Sequence, residues 1–188
     1  MSRLITRCRE GGPPPANAAA WAGWRRRRWL AWPLTALLPL PARALEQPSA
    51  AVVLTVKGRV RSQNHGSDAV FDMPMLAGLP QHRFSTRTPW YAKARQFAGP
   101  LLRDVLSEAG AQGTTLRLKA LNDYQVDMPW DDAQRHDVML ARLLDERPMS
   151  VRDKGPLMVI YPFDARPELR SAVYYSRSAW QLHTIEVL

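Results

Sequence analysis

The sequence predicts an α+β domain with a mixed β-sheet and short helices. Three observations carry that expectation. Short β-rich runs recur along the chain, bounded by Gly, Pro, Asn and Asp. Helical periodicity is confined to brief stretches. No internal repeat and no low-complexity segment follows residue 44.

The elements read in order as follows. Val52, Val53, Leu54, Thr55 and Val56 form a strand, ended by Lys57-Gly58, with 59–61 as a candidate extension. Asn64 to Ser67 are turn residues, and 69–71 return as the second arm of a hairpin. Asp72 caps a short helix with Pro74 in its first turn, and Leu79-Pro80 ends it. Residues 81–88 alternate and read as a strand closed by Pro89-Trp90-Tyr91. Residues 99–110 read as the clearest helix, with Pro100 in the first turn, Gly110 at the end and a stripe of Leu101, Leu102, Val105, Leu106 and Ala109. Residues 114–121 alternate as a half-buried strand, Asn122-Asp123 turn, and 124–128 form the next strand. Pro129 to Asp132 open a short helix, where Asp131 and Asp132 are expected to favour the helix dipole rather than form a catalytic pair. Residues 138–144 form a strand, 145–148 a turn, 167–170 a helical turn and 180–188 the last strand.

The chain is organised around 152–163. Arg152-Asp153-Lys154 is a charged turn, and Gly155-Pro156 re-aims the backbone. Leu157 to Tyr161 is a continuous apolar run, as for a strand buried on both faces. A basic turn held on the end of a core strand is a place to build a site for an anionic or planar polar ligand; a solvated surface loop is the alternative.

Composition bounds the function. The 188 residues carry a formal charge of +9, but eight Arg and only one acid fall in residues 1–44, which leaves +2 for residues 45–188. That balance does not argue for nucleic acid. Arg25 to Arg28, the apolar stretch 29–41 and Ala42-Arg43-Ala44 read as an export signal, so residues 1–44 are assigned to the signal and 45–188 to one domain. A periplasmic or secreted location follows, with a basic membrane-surface arm as the alternative. The only cysteine is Cys8, so residues 45–188 hold no thiol for a disulfide, a metal or catalysis. No nucleophile elbow, P-loop or zinc-protease motif is present, and His65, His82, His136 and His183 are scattered.

One succession of motifs resembles a known family. Phe97-x-Gly99-x-Leu101-Leu102-x-Asp104-x-Leu106, Ala109-Gly110-Ala111, Leu121-Asn122-Asp123-Tyr124, Arg152 to Leu157 and Trp180-Gln181-Leu182 look like the molybdopterin-binding domain of the sulfite oxidase family, over roughly 52–188. The resemblance implies the sulfite oxidase fold, with loops that hold a pterin. It also implies one cysteine thiolate on molybdenum, a soft ligand suited to that metal. By offset from Trp90 that position falls at Thr86, whose hydroxyl is neutral and hard.

A pterin pocket without a metal ligand is similar to small periplasmic members of the fold that bind free pterins. Those members signal to a membrane partner controlling cyclic di-GMP. The resemblance therefore implies a non-catalytic pterin sensor. A molybdenum-cofactor oxidoreductase, or a partner-docking domain with a vestigial pocket, are the alternatives. A pterin needs a stacking face and fixed polar groups. The candidates are Thr86, Trp90, Tyr91, Asn122, Asp123, Tyr124, Arg152, Asp153, Lys154, Gly155, Phe163, Arg177, Ser178 and Trp180. Asp123 is expected to pair with the guanidine-like edge and Arg177 or Trp90 to stack, while Trp180 leans to core.

Overall fold

The computed structural model describes residues 45–188. The export segment, 1–44, lies outside the described residues. Among the described residues, eleven strands form three sheets, accompanied by four short α-helices. The largest orders its strands β2-β1-β11-β5-β6, where β1 is Val52–Gly58, β2 Ala69–Asp72, β5 Thr115–Ala120, β6 Gln125–Pro129 and β11 Leu182–Val187. The sheet is mixed. β1 and β11, the first and last strands, run parallel, while the other neighbours are antiparallel.

Strand β5 shows the expected alternation. Leu116, Leu118 and Ala120 of β5 point into the core, while Thr115, Arg117 and Lys119 reach outward. Arg117 pairs there with Asp127 across the β5–β6 register at 2.8 Å. Helix α1 (Met73–Gly78) starts as expected, with the Asp72 carboxylate accepting from the Met75 N–H at 2.8 Å. A second Asp72 oxygen accepts from the N–H groups of Ser49 and Ala50, which ties the strap at 45–50 to β2.

The second sheet orders β3 (Gln81–Thr86), β4 (Arg95–Pro100), β8 (Leu143–Leu144) and β9 (Arg147–Pro148). Here the sequence expectation fails in an informative way. Gly99 and Pro100 do not open a helix; they finish β4, with Pro100 opposite Gln81. A Cβ on Gly99 would drive into the Leu140 carbonyl, so this glycine serves a close strand crossing. Helix α2 is Leu102–Glu108, and its expected stripe of Leu102, Val105, Leu106 and Ala109 is fully buried. Gly110, at φ +59°, ends it as expected, with the Gly110 and Ala111 N–H groups donating to the carbonyls of Ser107 and Leu106.

Residues 138–144 also divide. Met139–Ala141 is β7, paired with β10 (Met158–Ile160) in the third sheet, whereas β8 crosses to β4. Both β7 and β10 are fully buried, the pattern read from the apolar run. Helix α3 spans Trp130–Arg135. The last helix, α4 (Ala172–Arg177), was not read from the sequence. It is rich in β-branched and aromatic residues, which have weak helix propensity, and tertiary contacts supply what propensity does not. The last strand begins at Leu182 rather than at 180. Gln181 sits at φ +54°, and Trp180 makes only an isolated bridge to Met158.

Candidate functional site

The central turn is built from its backbone outward. Ser150 caps a single 3-10 turn, Val151–Asp153. Its hydroxyl donates to the Asp153 carboxylate at 2.7 Å, and its carbonyl accepts from the Gly155 N–H at 2.8 Å. Lys154, not the glycine, adopts the left-handed conformation, at φ +72°. Gly155 is required for another reason: a Cβ there would collide with the Met149 carbonyl. It is buried, and its backbone closes the turn. The Gln181 N–H donates to the Lys154 carbonyl at 3.0 Å, and the Gln181 amide donates to the Val151 carbonyl at 2.7 Å. The basic turn is thereby locked to the segment that carries Trp180.

Two pockets flank this lock. The first, of about 430 Å³, is lined by Trp90, Asn122, Tyr124, Tyr175, Ser178 and Trp180, with Pro89, Ala172, Ser176 and Ala179. Trp90 meets Trp180 edge to face at 5.5 Å and 88°, and Tyr175 at 6.1 Å and 82°. Trp180 is half-buried: it packs against the hydrophobic core and also lines this pocket. Tyr124, just before β6, reaches across and donates its hydroxyl to the Ser176 carbonyl at 2.8 Å, which ties α4 to this side of the pocket. The second pocket, of about 350 Å³, is lined by Tyr91, Arg95, Arg147, Arg152, Asp153 and Lys154, among others. Lys154 lies between the two pockets. Its ammonium is 5.1 Å from the Trp180 ring centroid and 5.5 Å from that of Tyr91.

The sequence candidates therefore divide. Trp90, Asn122, Tyr124, Ser178 and Trp180 come together in the first pocket; Tyr91, Arg152, Asp153 and Lys154 line the second. The other five, Gly155 among them, are placed elsewhere. Asp123 is exposed at φ +65° on the β5–β6 turn, and Asn122 takes the place beside the pocket. Phe163 is fully buried, packed on Tyr161 and on Tyr175 at 4.8 Å, so it is core. Arg177 does not stack in the pocket: its guanidinium donates to the Asp132 carboxylate at 2.8 Å. Thr86 is buried, and its hydroxyl accepts from the Asp164 N–H at 3.1 Å, while the Asp164 carboxylate accepts from the Arg87 N–H at 3.0 Å. Thr86 thus clasps the end of β3 to the chain after β10.

The role expected of Asp132 also changes. Asp131 stays in the first turn of α3, exposed and paired with Arg135. Asp132 is buried, and one of its oxygens accepts from both Arg177 and the Tyr161 hydroxyl, each at 2.8 Å. Burial first, and then the Asp132 charge, hold the Tyr161 phenol far above its ordinary range, so it remains a donor. Sequence reasoning missed this pair because the partners stand 45 residues apart. It also missed Tyr175, Arg95 and Arg147; the adjacent Tyr174-Tyr175 before Arg177 was the available signal for the first of these.

The fit to a molybdenum cofactor divides in the same way. An aromatic pocket of this size suits a planar heterocycle. Two of the three buried side-chain polar atoms without a partner among the described residues are the Thr88 hydroxyl and the Tyr91 hydroxyl, within two residues of Trp90 in sequence. The metal is not matched. Thr86 offers a neutral hydroxyl already engaged by backbone, and no group of three His, Cys, Asp or Glu converges among the described residues.

Residues 77–165 match a family model described as oxidoreductase molybdopterin binding domain. The matched span holds every candidate from Thr86 to Phe163 but not Arg177, Ser178 or Trp180. No curated protein matches the chain. Among solved structures, the sulfane dehydrogenase SoxCD from Paracoccus pantotrophus is similar, with a TM-score of 0.54 at 16% identity over 71% of this chain. The match covers 37% of that chain, so the present sequence spans little more than a third of that protein's length. At this identity the likeness speaks for the fold. Strand order and structural likeness agree on a sulfite-oxidase-type fold, within which residues 77–165 match the oxidoreductase molybdopterin binding domain.

Proposed function

We propose that the chain binds a pterin in the pocket walled by Trp90, Tyr175 and Trp180, and that it does so without molybdenum chemistry of its own. The observation that carries this reading is the pairing of an aromatic pocket with a hydroxyl at the position where the family resemblance implies a thiolate. Edge-to-face contacts hold Trp90 and Trp180 nearly perpendicular, so each keeps a π surface available to a flat ring. Asn122 and Ser178 supply polar groups at the same pocket. In this reading the domain is exported after cleavage near Ala44 and acts as a ligand sensor for a membrane-bound partner that controls cyclic di-GMP.

A second reading, a molybdenum-cofactor oxidoreductase or a subunit of one, is favoured by the family match itself, whose description names both the cofactor and the activity class. Purification from a host that makes the cofactor separates the readings. Pterin without molybdenum supports the sensor; about one molybdenum per chain supports the oxidoreductase. Free pterins titrated into the folded protein should quench Trp fluorescence, and Trp90→Ala should weaken binding about tenfold or more. Failure of folded protein to bind any pterin favours a partner-docking domain with a vestigial pocket.

A further inference from the structure

We infer that the outer edge of β3 is a docking site for an extended acidic segment of another protein, which joins the second sheet as an added strand. The register decides which backbone groups face outward. In an antiparallel ladder, residues alternate between facing one neighbouring strand and facing away from it. Ala98 and Gln96 of β4 face β8, since their carbonyls accept from the Arg142 and Asp145 N–H groups at 2.9 and 2.8 Å. Across the β3–β4 register they stand opposite Arg83 and Ser85. Arg83 and Ser85 therefore turn their N–H and C=O groups away from β4, toward the open edge. Both residues are exposed, and these backbone groups meet no partner among the described residues. Their spacing along the strand, about 7 Å, is the repeat that an incoming strand presents.

The other sheet edges are blunted, as edges of native sheets usually are. β9 is two residues long and ends in Pro148. The β2 edge is closed by the Asn64 amide, which donates to the Val70 carbonyl at 2.9 Å and accepts from the Val70 N–H at 2.8 Å. β6 ends in Pro129 and borders α3 and α4. β3 has six residues and no proline, and most of it is exposed. Charge selects the occupant. β3 holds Arg83 and no acid, and Arg87 follows it. Among the described residues, neither guanidinium has a carboxylate within 4.0 Å. The neighbouring Arg142 guanidinium is held only by the neutral Gln81 side chain, at 2.8 Å. A second copy of β3 paired antiparallel would set cation against cation, which is destabilising. An acidic strand instead meets these cations with carboxylates, while its main chain completes the ladder.

The test uses the full chain without pterin, so its failure leaves the pterin reading untouched. The probes are a fluorescein-labelled peptide, Thr-Val-Glu-Val-Glu-Thr, and a counterpart with lysine at both glutamate positions. By anisotropy at low salt, the acidic peptide is expected to bind about tenfold or more tightly than the basic one, with the gap narrowing as salt rises. Saturating acidic peptide should slow amide exchange at Arg83 and Ser85, read by NMR, about tenfold or more. Arg83→Glu should remove the preference for the acidic peptide. Ser85→Pro deletes an outward N–H and spares the β4 ladder, so it should weaken binding while the thermal melt stays near that of the wild type. No binding of either peptide up to about 1 mM overturns the docking site. Equal binding of the two peptides, a preference unchanged in Arg83→Glu, or binding that leaves exchange at Arg83 and Ser85 unchanged also overturns it. A dimer of the free protein in which those two amides are already protected places a second copy on the edge, and overturns the acidic partner.

Discussion

Replacing Arg177 with Met tests what holds the wall of the first pocket in place. Helix α4 has no fully buried residue, so its position depends on tethers rather than on a buried stripe. The strongest tether is Arg177 to Asp132, whose side chains keep 20% and 9% exposure. Removing one partner of a fully buried pair costs about 3–5 kcal/mol, because the remaining charge stays desolvated. Partial exposure of Arg177 admits some water to Asp132, and the Tyr161 hydroxyl continues to donate, so about 2–3 kcal/mol is the expected loss. For a domain of this size that is roughly 6–15 °C in melting temperature. Urea and thermal melts of Arg177→Met, Asp132→Asn and the double variant measure it. The double variant should be less destabilised than the two single losses combined by about 1 kcal/mol or more, as expected for residues in direct contact. A single-variant loss below about 0.5 kcal/mol would refute the reasoning: the pair would then behave as an exposed ion pair, and α4 would be held by its aromatic contacts alone.

Other outcomes follow from single contacts. Gly155→Ala should destabilise the domain strongly, because the new methyl meets backbone rather than a flexible side chain; a thermal melt reads it. Phe163→Ala should cost about 3–5 kcal/mol as a core deletion, whereas Trp90→Ala should affect pterin affinity more than stability. The Asp72 carboxyl is held below its usual range, first by the Met75 N–H and further by those of Ala50 and Ser49. A lowered folded-state pKa contributes stability above the unfolded value near 3.9, and that stability is lost as pH falls through the lower folded value. Asp72→Asn should therefore be less stable than wild type at pH 6, with the gap closing below about pH 4 in urea melts.

The sequence was legible where a residue's environment is set by its near neighbours. The alternation of 115–120, the apolar run 157–161 and the Asp72 cap each report local exposure or local hydrogen bonding, and each stands in the structure. It was not legible where a contact between distant segments decides. Gly99 looks like a helix start until Leu140 is known to pass against it. Asp132 looks like a dipole acid until Arg177 and Tyr161 arrive from elsewhere in the chain. The site divides along the same line. Trp90 and Trp180, bulky aromatics next to turns, both line the first pocket, although Trp180 was expected to lean to core, yet Arg177 was assigned to the pocket on its type alone. Its charge is already engaged, which no local pattern reveals.

The hydroxyl at Thr86 has a structural consequence that bears on function. In the resemblance this position supplies a thiolate that points outward to a metal. Here the side chain turns to accept from the Asp164 N–H, and the Asp164 carboxylate takes the Arg87 N–H in return. Arg170 adds a hydrogen bond to the Phe163 carbonyl at 2.9 Å and an ion pair to Asp164. The end of β3 is thus joined to the chain after β10 by a closed set of hydrogen bonds that leaves the Thr86 oxygen engaged. Substituting Thr86→Cys alone would break the clasp, because a thiol is a weak acceptor for the Asp164 N–H. Metal binding would then require both the new thiolate and a rearranged 163–164 segment. The clasp is complete among the chain's own groups, and in the reading proposed above the ligand is held by the aromatic pocket of Trp90 and Trp180 and not at Thr86.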